Sequence, residues 1–418
     1  MSTPRVFFGW WVALSFSVMA FVASGIRFAV GPFLKPIVAD LGLDRASFSL
    51  VVASGLLLFG ALQPLVGWLV ERLGARAVLI AGAVVLGASL VATGSATRLW
   101  HLYLFYAVGT GLGLAATGHV VGSAVVARWF TRRRGTALSL LGSASMAGIT
   151  LMVPVAMWGV LTLGWRATYG LFGIGVVLLI VPLTLAFVRE SPEAMGLTPD
   201  GLPPAPPSGT PVLERTDLGD ALQTWPFWQL AGGLFCCGFS MSLLSAHGVP
   251  MLTDHGYHPM VASWALGLLG GSSMAFAVLL GAVSDRFGRR PVLAWLYGLR
   301  ALIFLGLVLV RERPALLLVI AIIGGASMSG SLAAASALSA EIFGRLSVGS
   351  VFGMMFLVHQ TGSALGSWLS GALFEATGGY GAAFGLASTL LAGAALLSAT
   401  LDERTLAEPR LIPVTGGR

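Results

Sequence analysis

The sequence predicts an all-α membrane protein of twelve transmembrane helices, arranged as two pseudo-symmetric six-helix bundles. Hydrophobic residues make up 56% of the 418 residues and charged residues 10%, whereas about a quarter of an average soluble domain is charged. The second observation is an internal repeat: GAVSDRFGRR, from Gly281 to Arg290, matches GWLVERLGAR, from Gly67 to Arg76. A repeat of such a long period indicates a duplicated architecture.

Twelve apolar runs have the roughly 20 residues that a membrane-spanning helix needs. Helices 1 to 6 are predicted near Phe7 to Val30, Ser47 to Trp68, Ala77 to Ser95, Leu99 to Ala127, Thr136 to Leu161 and Thr168 to Val188. Helices 7 to 12 are predicted near Phe227 to Pro250, Val261 to Ser284, Pro291 to Val310, Ala315 to Leu338, Ser350 to Glu375 and Ala382 to Leu401. The first run is longer than a secretory signal and is expected to be retained as helix 1.

The connection between the two sets of helices, Arg189 to Thr224, contains seven prolines in 36 residues and several charges. This composition is typical of a solvated linker, because it cannot bury a core. The predicted domains are an N-terminal bundle at 1–188, a proline-rich linker at 189–224, a C-terminal bundle at 225–401 and a tail at 402–418.

The distribution of basic residues predicts the orientation. An even number of helices places both termini on one side, where sixteen Arg and Lys residues lie, against six on the other side. Because cytoplasmic loops are enriched in Arg and Lys, the termini, the linker and both repeated turns are expected to be cytoplasmic. The net charge of +7 and the basic run from Arg128 to Arg134 are then orientation signals, and no nucleic-acid partner is expected.

The residue types do not indicate an enzyme. The two cysteines, Cys236 and Cys237, are neighbours in an apolar run, where a disulfide between them would be strained. No spacing typical of metal ligands and no pair of nucleophile and base is found in the sequence. No catalytic residues, metal or cofactor are expected.

The repeated decapeptide predicts a gate element on the cytoplasmic face. Its glycines allow a sharp turn, its acidic residue can sit at the positive end of a neighbouring helix, and its arginines can pair across the face. The predicted gating residues are Gly67, Glu71, Arg72 and Arg76 in the first copy and Gly281, Asp285, Arg286, Arg289 and Arg290 in the second.

GAVSDRFGRR resembles the signature loop of the major facilitator superfamily, which joins helices 2 and 3 and recurs between helices 8 and 9. The first copy departs from the usual pattern, with Glu71 in place of Asp and Ala75 in place of a basic residue. The resemblance covers nearly the whole chain, and it implies two six-helix bundles, a central cavity and alternating access.

Further segments resemble the bacterial branch of the monocarboxylate and oxalate/formate carriers. They are FFGWWVAL from Phe7, ARWFTRRRGTALSL from Ala127, GWR from Gly164, RESPEAMGLTPDG from Arg189, TWPFW from Thr224, HGVPMLTDHG from His247 and AEIFGRLSVGSVFG from Ala340. This resemblance implies transport of small organic anions across the bacterial cytoplasmic (inner) membrane, by proton symport or by anion exchange.

Arg27 is the leading candidate for binding the substrate. A charged residue inside a membrane helix is costly and points to function, and a guanidinium can hold a carboxylate with two hydrogen bonds. The alternative is that Arg27 reaches the outer headgroups. No Asp or Glu lies well inside any predicted helix, so an anionic solute would supply the missing negative charge.

His119 in helix 4, His359 in helix 11 and the neighbouring Gln360 are the other predicted substrate-binding residues. Imidazole titrates near neutral pH and can donate to a carboxylate, so proton coupling would fall to histidine or to the substrate itself. The alternative is that these polar side chains only join neighbouring helices.

One position departs from the carriers of the resembled branch. They usually have an arginine in helix 8, four residues before the glycine that opens the second repeat, where this chain has Ala277. Either Arg27 takes over this role from the other half, or the solute differs from a simple monocarboxylate. Arg300, in helix 9, is interpreted as structural, either reaching the headgroups or bonded to a neighbour.

These observations predict a secondary active transporter for a small carboxylate-bearing solute, possibly with protons, acting as a monomer in the bilayer. A receptor on a carrier fold that signals without transport is the alternative. It would be expected to carry an added cytoplasmic domain, whereas the linker is short and only seventeen residues follow Leu401.

Overall fold

The structure is a computed structural model of the chain, and it describes residues 7–130, 133–201, 213–310, 313–328, 330–344, 348–402, 404 and 408–410. Within these residues, helices account for nearly all regular structure. The side chains of His119, Ala277 and Asp285 lie outside the described set.

Six helical spans form the first half of the described chain. They are helix 1 (Phe8–Phe28 and Val30–Leu41), helix 2 (Arg45–Leu73), helix 3 (Ala75–Gly94), helix 4 (Leu99–Trp129), helix 5 (Arg134–Leu163) and helix 6 (Trp165–Phe187). Helix 4 is built from the segments Leu99–His101, Leu102–Thr110, Gly111–Thr117 and His119–Trp129, of which the second is a π-helix.

Six spans form the second half. They are helix 7 (Trp225–Asp254), helix 8 (Pro259–Phe287), helix 9 (Arg289–Leu309), helix 10 (Pro314–Met328 and Ser331–Phe343), helix 11 (Val348–Thr377) and helix 12 (Gly381–Ala399). Ten helices in the described chain, all except helices 8 and 11, are long and apolar enough by length and composition to cross a membrane.

Short elements connect the halves. The segment after helix 6 contains two 3₁₀ turns, Glu193–Met195 and Pro199–Gly201, and a short helix, Leu218–Leu222, precedes helix 7. Strand β1 (Leu213–Arg215) pairs antiparallel with β2 (Glu408–Arg410), so the chain ahead of helix 7 is joined to the C-terminal segment.

The two halves pack in the same way. Helix 1 packs on helix 5 as helix 7 packs on helix 11, and helix 3 packs on helix 6 as helix 9 packs on helix 12. Close crossings occur where glycine removes the side chain: Gly148 faces the backbone of Phe21, and Gly238 faces the backbone of His359. The halves meet along helices 2 and 11 and along helices 5 and 8.

Each repeated segment turns at a single glycine. Gly74 (φ 82°, ψ 154°) separates helices 2 and 3, and Gly288 (φ 88°, ψ 155°) separates helices 8 and 9. The expectation that the glycines of the repeat form the turn is therefore wrong for Gly67 and Gly281, because both lie inside helices that continue for six more residues.

Helix 1 is longer than predicted. The chain bends at Ala29 and continues as a helix through Leu41. Pro32 explains the bend, since its ring lacks an N–H group and collides with the carbonyl four residues earlier, that of Phe28. Arg27 consequently lies near the middle of the full span, just before the bend.

Candidate functional site

Arg27 extends from the bend of helix 1 towards the second half of the protein. Its side chain is half-buried, and Nη2 donates a hydrogen bond to Oε1 of Gln360 in helix 11 over 3.4 Å. The guanidinium lies 4.9 Å from the ring centre of Phe59 and 5.7 Å from that of Phe28. Arg27 thus lies between the halves rather than at the headgroups.

Gln360 joins the two halves through several contacts. It is fully buried, and its Nε2 donates to the carbonyl oxygen of Leu56 in helix 2 over 3.5 Å. Its Oε1 lies 2.9 Å from Nδ1 of His359 and also accepts from Arg27. Gln360 therefore connects two other predicted substrate-binding residues, Arg27 and His359.

The charge on Arg27 has no fixed counterion in the described part of the chain, where no carboxylate forms an ion pair with its guanidinium. A cation withdrawn from water without a partner is costly. The geometry therefore leaves a cationic site at the meeting line of the two halves, which favours binding of an anion.

An apolar pocket lies beside this cationic site. It encloses about 490 Å³ of empty space, part of it open to solvent, and both halves line it. Phe28, Met146 and Ile149 contribute from the first half, and Met241 and Met328 contribute from the second. Because the ring of Phe28 also lies near the Arg27 guanidinium, the pocket can hold the hydrocarbon part of a ligand whose charge lies at Arg27.

His119 begins a helical segment at a break in helix 4. Gly118, just before it, adopts an extended conformation (φ −76°, ψ −179°) and interrupts the helix. Helix 10 is interrupted at Gly330 (φ 82°, ψ −18°). Broken helices at corresponding places in the two halves are typical of transporter binding regions, although the side chain of His119 is outside the described set.

The predicted gating residues make contacts within their own halves. Arg76 donates to the carbonyl oxygen of Leu185 over 2.6 Å, Arg289 pairs with Glu341, and Arg290 donates to the carbonyl oxygen of Ala399 over 2.9 Å. These partners belong to helices 6, 10 and 12, so each contact stays on one side of the interface.

The other described gating side chains, those of Glu71, Arg72 and Arg286, lie at the surface. Arg72 lies over the ring of Trp68 at 4.4 Å and Arg286 over that of Phe287 at 5.6 Å. Glu71 is exposed, and it forms no ion pair with any residue that the structure describes. In this conformation the described repeat residues do not bridge the halves.

A set of ion pairs bridges the halves on the side of the membrane opposite the termini. Asp254, at the end of helix 7, lies 2.6 Å from Nζ of Lys35 and 2.7 Å from Nη1 of Arg45. Arg45 also donates to the hydroxyl of Tyr380 over 2.9 Å, and its backbone N–H donates to Glu375 over 2.9 Å. We call Lys35, Arg45, Asp254, Glu375 and Tyr380 the outer cluster.

His247 forms a second, buried layer beneath the outer cluster. Its Nε2 lies 3.1 Å from Oγ of Ser49 and 2.9 Å from the carbonyl oxygen of Ser367, and its Nδ1 lies 3.0 Å from the hydroxyl of Tyr380. Polar contacts between the halves of the described chain thus extend from Gln360 to Asp254. The protein is closed on the side opposite the termini.

The outer cluster was not predicted from the sequence. Lys35 and Arg45 were counted only among the six basic residues on the side opposite the termini, although the acidic residue Asp254 in HGVPMLTDHG could have indicated an ion pair. For Arg300 the sequence left two alternatives, the headgroups or a bonded neighbour. Arg300 is fully buried and bonded to Cys237 of helix 7 and to helix 10. It is therefore bonded to its neighbours and does not reach the headgroups.

Comparisons with known proteins agree with this architecture. The family model of the Major Facilitator Superfamily matches the chain twice, over residues 16–249 and 230–414. Among solved structures, a D-xylose-proton symporter superposes with a TM-score of 0.73 at 18% identity, covering 95% of this chain and 99% of that chain.

Similar sequences are also found among curated transporters. An uncharacterised MFS-type transporter, YcxA of Bacillus subtilis (strain 168), is 27% identical over 91% of each chain. Monocarboxylate transporter 13 of Bos taurus is 28% identical over 93% of this chain and 88% of its own. The oxalate:formate antiporter of Oxalobacter formigenes is 23% identical over 87% of this chain and 84% of its own.

Proposed function

The chain belongs to the Major Facilitator Superfamily, and we propose that it is a secondary active transporter of a small, monocarboxylate-like organic anion. The solute's carboxylate binds Arg27, with Gln360, His359 and His119 completing the site. Its hydrocarbon part occupies the apolar pocket beside Phe28. Similarity to a monocarboxylate transporter and to an oxalate:formate antiporter supports this class of solute.

The observation that carries the proposal is the uncompensated guanidinium of Arg27 between the halves. A guanidinium group favours a carboxylate as its partner, because it can donate two parallel, charge-assisted hydrogen bonds to the two carboxylate oxygens. A carboxylate that replaces Oε1 of Gln360, now 3.4 Å from Nη2, supplies the missing charge. Substrate binding therefore offsets the cost of holding Arg27 away from water.

The proposed orientation places the termini, the linker and the repeated turns in the cytoplasm of a bacterium, with the carrier in the inner membrane. The outer cluster then faces the outside, and the conformation described above is open towards the cytoplasm. Transport proceeds as the two halves rock about the site. When the outer cluster opens, the turns at Glu71 and Asp285 come together and close the cytoplasmic side.

Substrate counterflow in proteoliposomes tests this function. The solute is first selected by thermal stabilisation of the purified protein with hydroxy, keto, dicarboxylic and aromatic acids, because a ligand of the folded state raises its stability. Arg27→Ala is expected to abolish counterflow while the protein remains folded, because it removes the only cation that the proposal assigns to the carboxylate.

Arg98→Ala is the matched control, because it removes an exposed arginine from the connection before helix 4. This variant is expected to transport like the unmodified protein. Normal counterflow by folded Arg27→Ala would remove Arg27 from the site, and absence of counterflow for every acid tested with the unmodified protein would reject the proposed solute class.

A further inference from the structure

The apolar pocket beside Arg27 has almost no polar lining. Its polar side-chain groups are the hydroxyls of Ser245 and Ser273, and no charged side chain of the described residues lines it. The hydroxyl of Ser245 already donates to the carbonyl oxygen of Ser242 over 3.1 Å. Oγ of Ser273 is buried and makes no hydrogen bond within the described chain. The pocket therefore offers a ligand one neutral hydroxyl and no charge.

Flexible side chains form much of the lining. Met146 of helix 5, Met241 of helix 7 and Met328 of helix 10 all contribute to it. Methionine has an unbranched, polarisable side chain that fills irregular spaces and is common at surfaces that accept several ligands. The lining consequently selects an apolar ligand rather than a ligand of one exact outline.

Three leucines separate this pocket from a second apolar cavity. Leu244, Leu266 and Leu269 line both spaces. The second cavity encloses about 280 Å³ of empty space, part of it open to solvent, between helices 7, 8, 9 and 10. Its other lining residues are apolar as well, among them Met251 and Ile303. The size of the three leucines therefore decides where the first pocket ends.

Phe28 connects the pocket to the cationic site. Its ring lines the pocket, and the centre of the ring lies 5.7 Å from the guanidinium of Arg27. A carboxylate held by Arg27 can therefore direct its hydrocarbon body along this ring. The empty space of about 490 Å³ lies within the range of about 300–1,000 Å³ that is usual for pockets of drug-sized ligands. An acid as small as acetate would leave most of it unfilled.

We propose that the solute is an amphipathic monocarboxylate, with one carboxylate at its end and an apolar body of about six to ten carbon atoms that fills this pocket. This rests on the proposed transport of an organic anion at Arg27 and narrows the class of that anion. Straight, branched and aromatic bodies all fit the methionine-rich lining. A second carboxylate does not, because an unpaired charge in an apolar environment is costly. Oxalate and longer dicarboxylates are excluded as tight ligands.

The apolar body also links the two halves. Phe28 and Ile149 belong to the first half, and Met241 and Leu266 belong to the second, so a body that fills the pocket contacts both. Removal of the apolar surfaces of the solute and of both halves from water stabilises the arrangement in which they lie together. A short acid held at Arg27 makes no such link through the pocket.

A series of straight-chain acids from acetate to decanoate tests the proposal on the unmodified protein. The dissociation constant of each acid is obtained from the concentration dependence of thermal stabilisation. Each CH₂ group that enters the pocket is expected to tighten binding about fourfold until the pocket is full. Octanedioate matches octanoate in length but carries a second carboxylate, and it is expected to bind about 100-fold more weakly or worse. Stabilisation by octanoate is expected to disappear in Arg27→Ala.

Leu266→Ala and Leu243→Ala form a matched pair of variants. Both remove the same volume from a buried leucine of the second half, but only Leu266 lines the two cavities. In Leu266→Ala, the acid of highest affinity is expected to be longer than in the unmodified protein, because a side chain that ends the pocket is gone. In Leu243→Ala, the acid of highest affinity is expected to be the same as in the unmodified protein.

Equal affinities for acetate and octanoate, or for octanoate and octanedioate, would overturn the inference. Stabilisation by octanoate that persists in Arg27→Ala, or an unchanged preferred length in Leu266→Ala, would overturn it as well. Short acids that bind and undergo counterflow with an affinity independent of chain length would leave the proposed function standing and reject the apolar solute. Absence of binding by every acid would reject the proposed function itself.

Discussion

Gln360 is the central residue of the proposed substrate site, because its Oε1 occupies the place proposed for the substrate carboxylate. Gln360→Glu puts a fixed carboxylate near Nη2 of Arg27, where the amide oxygen now lies 3.4 Å away. The resulting ion pair neutralises Arg27 and repels an anionic solute. Repulsion between like charges in an interface costs several kcal/mol, and about 1.4 kcal/mol corresponds to a tenfold change, so affinity is expected to fall by about 100-fold or more.

Gln360→Met is the matched control, because it has similar volume and no charge. It removes the hydrogen bond to Arg27 without supplying a competing carboxylate, so its solute affinity is expected to exceed that of Gln360→Glu. The measurement is the solute dependence of thermal stabilisation in both purified variants. Equal affinities of the two variants would contradict a role for Arg27 as the anion site.

Single residues were predictable from the sequence only when the residue type was unusual for its surroundings. Arg27 and His359 stand out in apolar runs, and the structure brings both to Gln360. The partnership of Arg300 with Cys237 was not predictable, because it depends on side-chain direction. In helices that are apolar all round, sequence periodicity does not show which face points inward.

At the scale of the elements, the glycine at the turn of each repeat is expected to be important for the stability of the fold. Gly288 has φ 88° and ψ 155°, a region that is open essentially only to glycine and costs other residues about 1–3 kcal/mol. The nearest atoms to an added Cβ there are in Pro291, at 3.7 Å or more, so backbone strain dominates. Gly288→Ala is expected to lower the melting temperature of the purified protein.

Gly67→Ala is the control from the first copy of the repeat. Gly67 lies inside helix 2, and an added Cβ there would meet no atom within 4 Å. Alanine is favoured over glycine in a helix by up to about 1 kcal/mol, so this variant is expected to melt at the same temperature or higher. A lower melting temperature for Gly67→Ala than for Gly288→Ala would contradict the placement of the turns at Gly74 and Gly288.

The existence of the helices was predictable from length and composition, but their ends were not. The twelve apolar runs correspond to the twelve spans of the described chain. Helix 1 was predicted to end near Val30. Pro32 instead bends the span, and the continuation packs against helix 7. Tertiary packing decided whether proline bent or ended the helix.

At the scale of the whole molecule, the two duplicated halves were predictable from the sequence, but the contacts between them were not. The repeat predicted two bundles, and the equivalent packing of helices 1 and 5 with helices 7 and 11 agrees with it. The conformation was not predictable, because it depends on contacts between halves that lie far apart in sequence. Lys35 and Asp254 are 219 positions apart in the sequence, and they form an ion pair in this conformation, which is closed on the side opposite the termini.

The outer cluster is expected to set the balance between the two conformations. Asp254 forms ion pairs with both Lys35 and Arg45 and is only partly exposed. Exposed ion pairs contribute about 0–1 kcal/mol and breaking a buried pair costs about 3–5 kcal/mol, so this intermediate case is expected to be worth about 1–2 kcal/mol. A change of that size shifts a two-state equilibrium by about 5–30-fold. Asp254→Asn should therefore open the side opposite the termini.

Hydrogen–deuterium exchange of the purified protein measures this shift. In Asp254→Asn, deuterium uptake is expected to rise at 45–60 in helix 2 and at 360–377 in helix 11, because these segments face each other across the closed interface. Asp40→Asn is the control, since Asp40 pairs with Arg166 over 2.9 Å on the same side of the membrane but within the first half. Equal uptake by the two variants would mean that the outer cluster does not hold the halves together.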